Sequence, residues 1–323
     1  MRAESVPGSS PRVGYGIAFT GVVVWSWTGV LVGYLLQRHP IAPMTLAFWR
    51  DLTSGATLVA LLAVVRPAAL RVERRHRAFL LLAGGALALL NATWTFSIAR
   101  NGAAISTVLV YSSPAFTALL ARVFFGERLG PIRALALAAS FVGCVLVARA
   151  DDPSRWTLNG PGIVAGLLSA VCFATFSVVG KVASRRGIDP WTLTAYTFVV
   201  AAGVLLPVAF ASTPASGAAA SLLWFGPSWH AWALLLVLVV PTLGGYGLYT
   251  VSLGYLPAAT ANIIATLEPV LTALWAHLLL GETLGAPELL GGSLIVGSVV
   301  FLQLEPRRGE AGVEAGTPAL PPE

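Results

Sequence analysis

Long apolar stretches alternate with short polar ones along this chain, and the apolar stretches recur at the length a membrane helix needs. Ten spans are predicted, at roughly Val13–Leu36, Pro43–Val65, Ala78–Ile98, Ala103–Phe125, Pro131–Ala148, Gly160–Lys181, Pro190–Ala211, Trp229–Ser252, Ala258–Leu280 and Pro287–Leu304. About 20 apolar residues in a helix cross ~30 Å of hydrocarbon. No water reaches the backbone there, so each span must satisfy its own N–H and C=O groups as an α-helix. The short alternating segments of a β-barrel do not occur in the pattern. Several spans open on Pro, which fits the first helical turn, where its missing N–H costs nothing. Residues 1–12 and 305–323 are rich in Pro, Gly, Ser and Glu and read as disordered tails. A polar linker covers 151–159.

The apolar pattern repeats itself 155 residues on. Ala103-Ala104, Pro114, Thr117-Ala118-Leu119, Ala121, Gly126-Glu127 and Leu129-Gly130 return as Ala258-Ala259, Pro269, Thr272-Ala273-Leu274, Ala276, Gly281-Glu282 and Leu284-Gly285. Duplicated units of this kind build many secondary transporters, which hold substrate where the repeats meet. Residues 13–150 and 160–304 are then two five-span units. Five is odd, so the second unit must cross the bilayer in the opposite sense to the first. The predicted fold class is an all-α integral membrane protein of ten transmembrane helices in two inverted five-helix repeats.

Composition and charge sharpen the picture. Apolar residues make up 56% of the 323 and charged residues 11%, against roughly 25% charged in soluble domains. Mean hydropathy is +0.79. The net charge of +6 does not point to nucleic acid, because the bases follow the spans. With the N-terminus inside, inner segments hold Arg2, Arg12, Arg66, Arg71, Arg74, Arg75, Arg77, Arg128, Arg133, Lys181, Arg185, Arg186, Arg307 and Arg308, while outer loops hold only Arg38, Arg100, Arg149 and Arg155. Fourteen against four places both termini in the cytoplasm, with the chain in the cell (inner) membrane. The repeat's loops follow the same rule: Arg128 in the inner loop has Thr283 as its outer counterpart. Cys144 and Cys172 lie in different spans and read as small buried hydrophobes.

Candidate chemistry is sparse. Glu268 lies about ten residues into span nine, where an ionisable group costs ~2.5–3.5 kcal/mol. It is read as binding a substrate amine, titrating with a proton, or bonding helix ends or Arg50 for structure. Pro114 and Pro269 are a matched pair. Each removes a bond to the carbonyl four residues back, Val110 or Ala265, and is expected to kink its helix as a hinge. Arg50, roughly 10 Å deep at 1.5 Å per residue, is suited to clamping a carboxylate, to capping a helix or to meeting an acid. Its neighbour Asp51 is expected to point ~100° away and not to pair with it. Trp25, Trp27, Trp94, Tyr111, Tyr246 and Tyr249 lie deep and are read as pocket lining or packing. Asn91, Thr95, Asn262 and Thr266 add uncharged polar groups. Trp224, Trp229 and Trp232 read as an interfacial belt, and Arg122 and His277 as snorkelling side chains. Gly29/Gly33 and Gly162/Gly166 read as close packing within the bundle.

No HExxH, Walker loop or zinc-spaced Cys occurs in the sequence, so no cofactor or metal is implied. Energy for pumping would come from gradients or a separate subunit. An intramembrane enzyme or lipid-handling protein is the alternative, but it needs a nucleophile–base pair, and apart from His230 at a span boundary His277 is the only His within a span.

Certain stretches carry a family resemblance. They are Trp25-Ser26-Trp27-Thr28-Gly29, Pro43-Met44-Thr45-Leu46-Ala47-Phe48-Trp49-Arg50, Tyr249 to Leu256, Pro257-Ala258-Ala259, Leu267-Glu268-Pro269-Val270 and Gly281-Glu282. In order and duplication they resemble the EamA type of the drug/metabolite transporter superfamily, over nearly all of 13–304. The resemblance implies ten helices in inverted repeats, a central cavity, and export of small metabolites such as amino acids. Thr28 stands where many members resemble each other in having Asn. The expected partners are a small-molecule substrate and the lipid bilayer, with proton coupling open.

Overall fold

A computed structural model describes residues 11–39, 41–126, 130–152, 159–212, 228–280 and 284–303. All regular structure among them is helical: α1 (Pro11–Arg38), α2 (Pro43–Val65), a 3-10 turn (Pro67–Leu70), α3 (Arg74–Val110), α4 (Ser113–Phe125), α5 (Pro131–Val147), α6 (Gly160–Arg185), α7 (Pro190–Ser212), α8 (Trp229–Tyr255), α9 (Ala258–Ala265), α10 (Glu268–Leu280) and α11 (Ala286–Gln303). Among the described residues eight stretches are long and apolar enough to cross a membrane. Two shorter apolar helices, Pro131–Val147 and Ala286–Leu302, occupy predicted spans five and ten. The expected tails beyond 10 and 304, Glu127, Arg128, Arg155 with most of the linker, Trp224, and Gly281 to Thr283 lie outside the described residues.

Every residue of α3 from 74 to 110 is helical, across the expected boundary of spans three and four. The chain nonetheless turns back there. Ser97 and Ser106 are nine residues apart, about 13.5 Å along a straight helix, yet their Oγ atoms are 2.8 Å apart. The reversal lies between the two crossing stretches that end at Ile98 and begin at Ile105.

Four pairings organise the bundle: α1 with α8, α3 with α6, α5 with α11, and α2 with α7. Small residues let these backbones close up, as helices in lipid require. A Cβ on Gly166 would lie 2.5 Å from Leu109 Cδ1, and one on Gly162 2.5 Å from Asn101 Nδ2, so this pair packs α6 on α3 as expected. At the α5–α11 crossing a Cβ on Gly143 would lie 2.7 Å from the Gly291 carbonyl oxygen, and one on Gly291 2.6 Å from that of Gly143. The bundle exterior carries Val64, Leu82 and Val123, each more than 70% exposed, as a lipid-facing surface does. Trp229 is exposed with them, whereas Trp232 turns inward to meet the Trp49 ring edge-on at 5.1 Å. Arg122 and His277 are exposed, and both cysteines are buried and unpaired.

Candidate functional site

Two helices stop inside the bundle. α3 ends at Val110, and α4 restarts at Ser113 after the turn Tyr111-Ser112. α9 ends at Ala265, and α10 restarts at Glu268 after Thr266-Leu267. Pro114 and Pro269 each take the second position of the restarted helix, where a missing N–H is harmless. The expected kinks are therefore complete interruptions. The reason is local: each proline deprives the preceding turn of a donor, and hydroxyls tie off the loose end instead. Ser112 Oγ donates to the Leu109 carbonyl and Thr266 Oγ1 to that of Ile263, both at 2.6 Å.

The interruptions meet through side chains. Glu268 is the first residue of α10, where the positive end of the helix dipole favours a carboxylate. Its Oε2 accepts a hydrogen bond from the Tyr111 hydroxyl at the other interruption. Gly29 of α1 supplies the space alongside, since a Cβ there would lie 3.7 Å from Glu268 Oε1.

A second polar cluster joins α2 to α3. Arg50 Nε and Nη2 both donate to Asp51 Oδ1 at 3.3 Å, and Asn91 Nδ2 donates to Asp51 Oδ2 at 2.6 Å. The expectation that Arg50 and Asp51 point apart is overturned. Their Cβ directions do diverge, but the long arginine stem wraps round the helix, and in a dry interior (Arg50 5% exposed, Asp51 0%) each charge needs the other. Arg50 does not pair with Glu268.

Both clusters border one cavity. Trp25, Thr28 and Gly29 of α1 contribute at i, i+3 and i+4, a single helical face. Leu90, Asn91 and Trp94 contribute from the first part of α3, Thr107 and Val110 from its second part, and Tyr111 from the turn that follows. Phe173, Tyr246, Arg50 and Glu268 complete the wall. Aromatic rings dominate: Trp25 lies 4.5 Å from Tyr246 and meets Phe173 edge-on at 5.8 Å. The Thr28 hydroxyl is buried and has no hydrogen-bond partner among the described residues. The cavity holds about 70 Å³, room for a few waters.

Of the predicted site residues, Glu268, Arg50, Trp94, Tyr111 and Tyr246 come together here. Four others do not. Trp27 stacks on Trp275 at 5.1 Å. Tyr249 shares a 2.6 Å hydrogen bond with Ser177. Asn262 accepts from Ser113 Oγ and donates to Thr117 Oγ1 and Ser177 Oγ. Thr266 bonds its own helix. Thr28, Gly29 and Phe173 were not anticipated; the i, i+3, i+4 spacing from Trp25 was the signal for the first two. Among the described residues no three His, Cys, Asp or Glu side chains cluster to hold a metal.

The EamA-like transporter family matches residues 12–149 and 160–304. The chain is 28% identical to a riboflavin transporter of Rhizobium johnstonii, over 95% of this chain and 94% of that protein. It is 26% identical to the threonine/homoserine exporter RhtA of Salmonella typhimurium, over 79% and 82% respectively. A crystal structure 20% identical in sequence superposes with a TM-score of 0.72, covering 93% of this chain and all of the other, which shows the shared fold. The chain belongs to the EamA-like transporter family and is a multi-pass membrane transporter of a small molecule, not an enzyme.

Proposed function

We propose that this protein exports small amine-bearing metabolites, amino acids and related compounds, by alternating access around the cavity at Glu268. The observation that carries the reading is a carboxylate set at a helix interruption inside the bundle, on the wall of an aromatic cavity. Glu268 would hold the substrate amine or exchange it for a proton, with Tyr111 as the hydroxyl it releases. Trp25, Trp94, Phe173 and Tyr246 would pack the substrate body, and Pro114 and Pro269 would mark the hinges. Tyr249, Asn262 and Thr266 fit a supporting network beside the cavity, and Trp27 fits a buttress.

Ten crossings in two inverted repeats, with both termini in the cytoplasm of an inner-membrane protein, complete the proposal. Two geometric relations support the repeat. Adding 155 to the first interruption, 111 and 112, gives the second, 266 and 267. At the α5–α11 crossing Ser140 bonds Ser298 at 2.7 Å, and Gly143 faces Ile295. Since 140 + 155 = 295 and 143 + 155 = 298, each contact is the other's image, as a two-fold axis in the membrane plane requires. Export is supported by the resemblance and by the exporter among the relatives.

Flux of amino acids and amines from proteoliposomes, with and without a pH gradient, tests the proposal. Saturable transport that falls at least about tenfold in Glu268→Ala is expected, because the residue supplies the charge the substrate meets in a dry site. Transport indifferent to Glu268 would remove the site.

A further inference from the structure

Among the described side chains bordering the cavity, Arg50 is the one strong base and Glu268 the one carboxylic acid. Their situations differ. Arg50 directs both Nε and Nη2 at one oxygen of Asp51, and Asn91 holds the other oxygen at 2.6 Å. Asp51 is fully buried behind the wall. Glu268 has a neutral partner, the Tyr111 hydroxyl. We infer that Asp51 sets the substrate class: by neutralising Arg50 it leaves the cavity with the single uncompensated charge of Glu268, so the site takes a monocationic amine with an apolar body and discriminates against the zwitterion that carries a free carboxylate. The inference rests on the reading of this cavity as the substrate site, and narrows the amine-bearing class proposed above by ranking amino acids below the matching amines that lack a carboxylate.

The argument is one of charge matching in a dry space. A zwitterion brings a carboxylate that must find a cation. The only one on the wall is already held, so two anions would share one guanidinium, or Asp51 would be left buried and unpaired. A simple amine brings one positive charge to one negative one. Aromatic faces strengthen the same preference, because the rings of Trp25, Trp94 and Tyr246 attract cations and not carboxylates. Selectivity then arises from a repulsive element built against the competitor as much as from an attraction to the substrate.

Matched pairs that differ only by a carboxylate test this directly: phenylalanine with 2-phenylethylamine, and threonine with 1-amino-2-propanol, each assayed as flux in proteoliposomes. In the unaltered protein the amine should move at least about tenfold faster than its acid at equal concentration. Asp51→Asn frees the guanidinium, and the amine-to-acid ratio should fall by about tenfold or more. The double variant Arg50→Gln/Asp51→Asn removes both charges, leaves the net charge of the cavity unchanged, and should keep the preference for the amine; it also avoids the unpaired arginine that could prevent Asp51→Asn from folding. Equal flux of both members of each pair in the unaltered protein overturns the inference, as does an unchanged ratio in folded Asp51→Asn. Movement of neither member, or movement indifferent to Glu268→Gln, sinks the cavity as the substrate site and with it the inference, and so is distinguished from a failure of selectivity alone.

Discussion

Asn262 shows how one side chain ties several helices together. It is fully buried in α9 and bonds Ser113 and Thr117 of α4 and Ser177 of α6 at 3.0, 2.7 and 3.2 Å. Side-chain hydrogen bonds between membrane helices average ~0.6 kcal/mol, so Asn262→Ala should lower stability by about 2 kcal/mol, read by reversible unfolding in detergent. Thr28 is the opposite case, a buried hydroxyl with no hydrogen-bond partner among the described residues. Thr28→Val should leave unfolding within about 0.5 kcal/mol of the parent and raise the apparent KM for any substrate that bonds the hydroxyl. A fall in stability without a change in KM would contradict its role in the cavity. The sequence made residues such as Glu268 and Arg50 legible because a charge inside an apolar span stands out. It did not reveal that Arg50 would fold onto Asp51, since Cβ directions alone do not say how far a long stem reaches. Nor did it separate Tyr249 from Tyr246, three residues apart in α8, one bonded to Ser177 and the other on the cavity wall.

Among elements, most helix ends were legible to within a few residues, because hydrophobic length and opening prolines both act locally, but the expected boundary of spans three and four falls inside α3. The interruptions were legible only in part. Proline told where a bond would be missing, but whether the helix bends or stops depends on the hydroxyls that take over its last carbonyls. Glycine positions carry the sharpest test of packing. Gly143→Ala puts a methyl 2.6 Å from Ile295 Cγ1 and 2.7 Å from a backbone oxygen, and should cost about 1–3 kcal/mol by overpacking. Gly85→Ala meets nothing within 4 Å and should be neutral or slightly stabilising, by up to about 1 kcal/mol, through helix propensity. Thermal unfolding of the two variants beside the parent checks both, and equal behaviour would remove the close crossing.

For the whole molecule, topology is the testable quantity. Reporter fusions at each end should both read the cytoplasm. Single cysteines placed at Arg38 and Asp151 should react with an impermeant reagent added from outside, and those at Arg71 and Gly187 should not. Labelling of all four from one side would dismantle the inverted arrangement. Charge placement is what predicts this orientation, because the loops carry it independently of the spans. How the two halves interlock was not legible, since partner choice such as α1 with α8 depends on shape at many small residues at once.

The α5–α11 crossing has a mechanical consequence. Peptide rests directly on peptide there, with no side chain between Gly143 and Gly291 to yield. Sliding one unit along the other would drag carbonyl over carbonyl, whereas rotation about the point of touch leaves it intact. Between α5 and α11 the crossing therefore resists sliding and permits rotation about the point of touch, as an axle does.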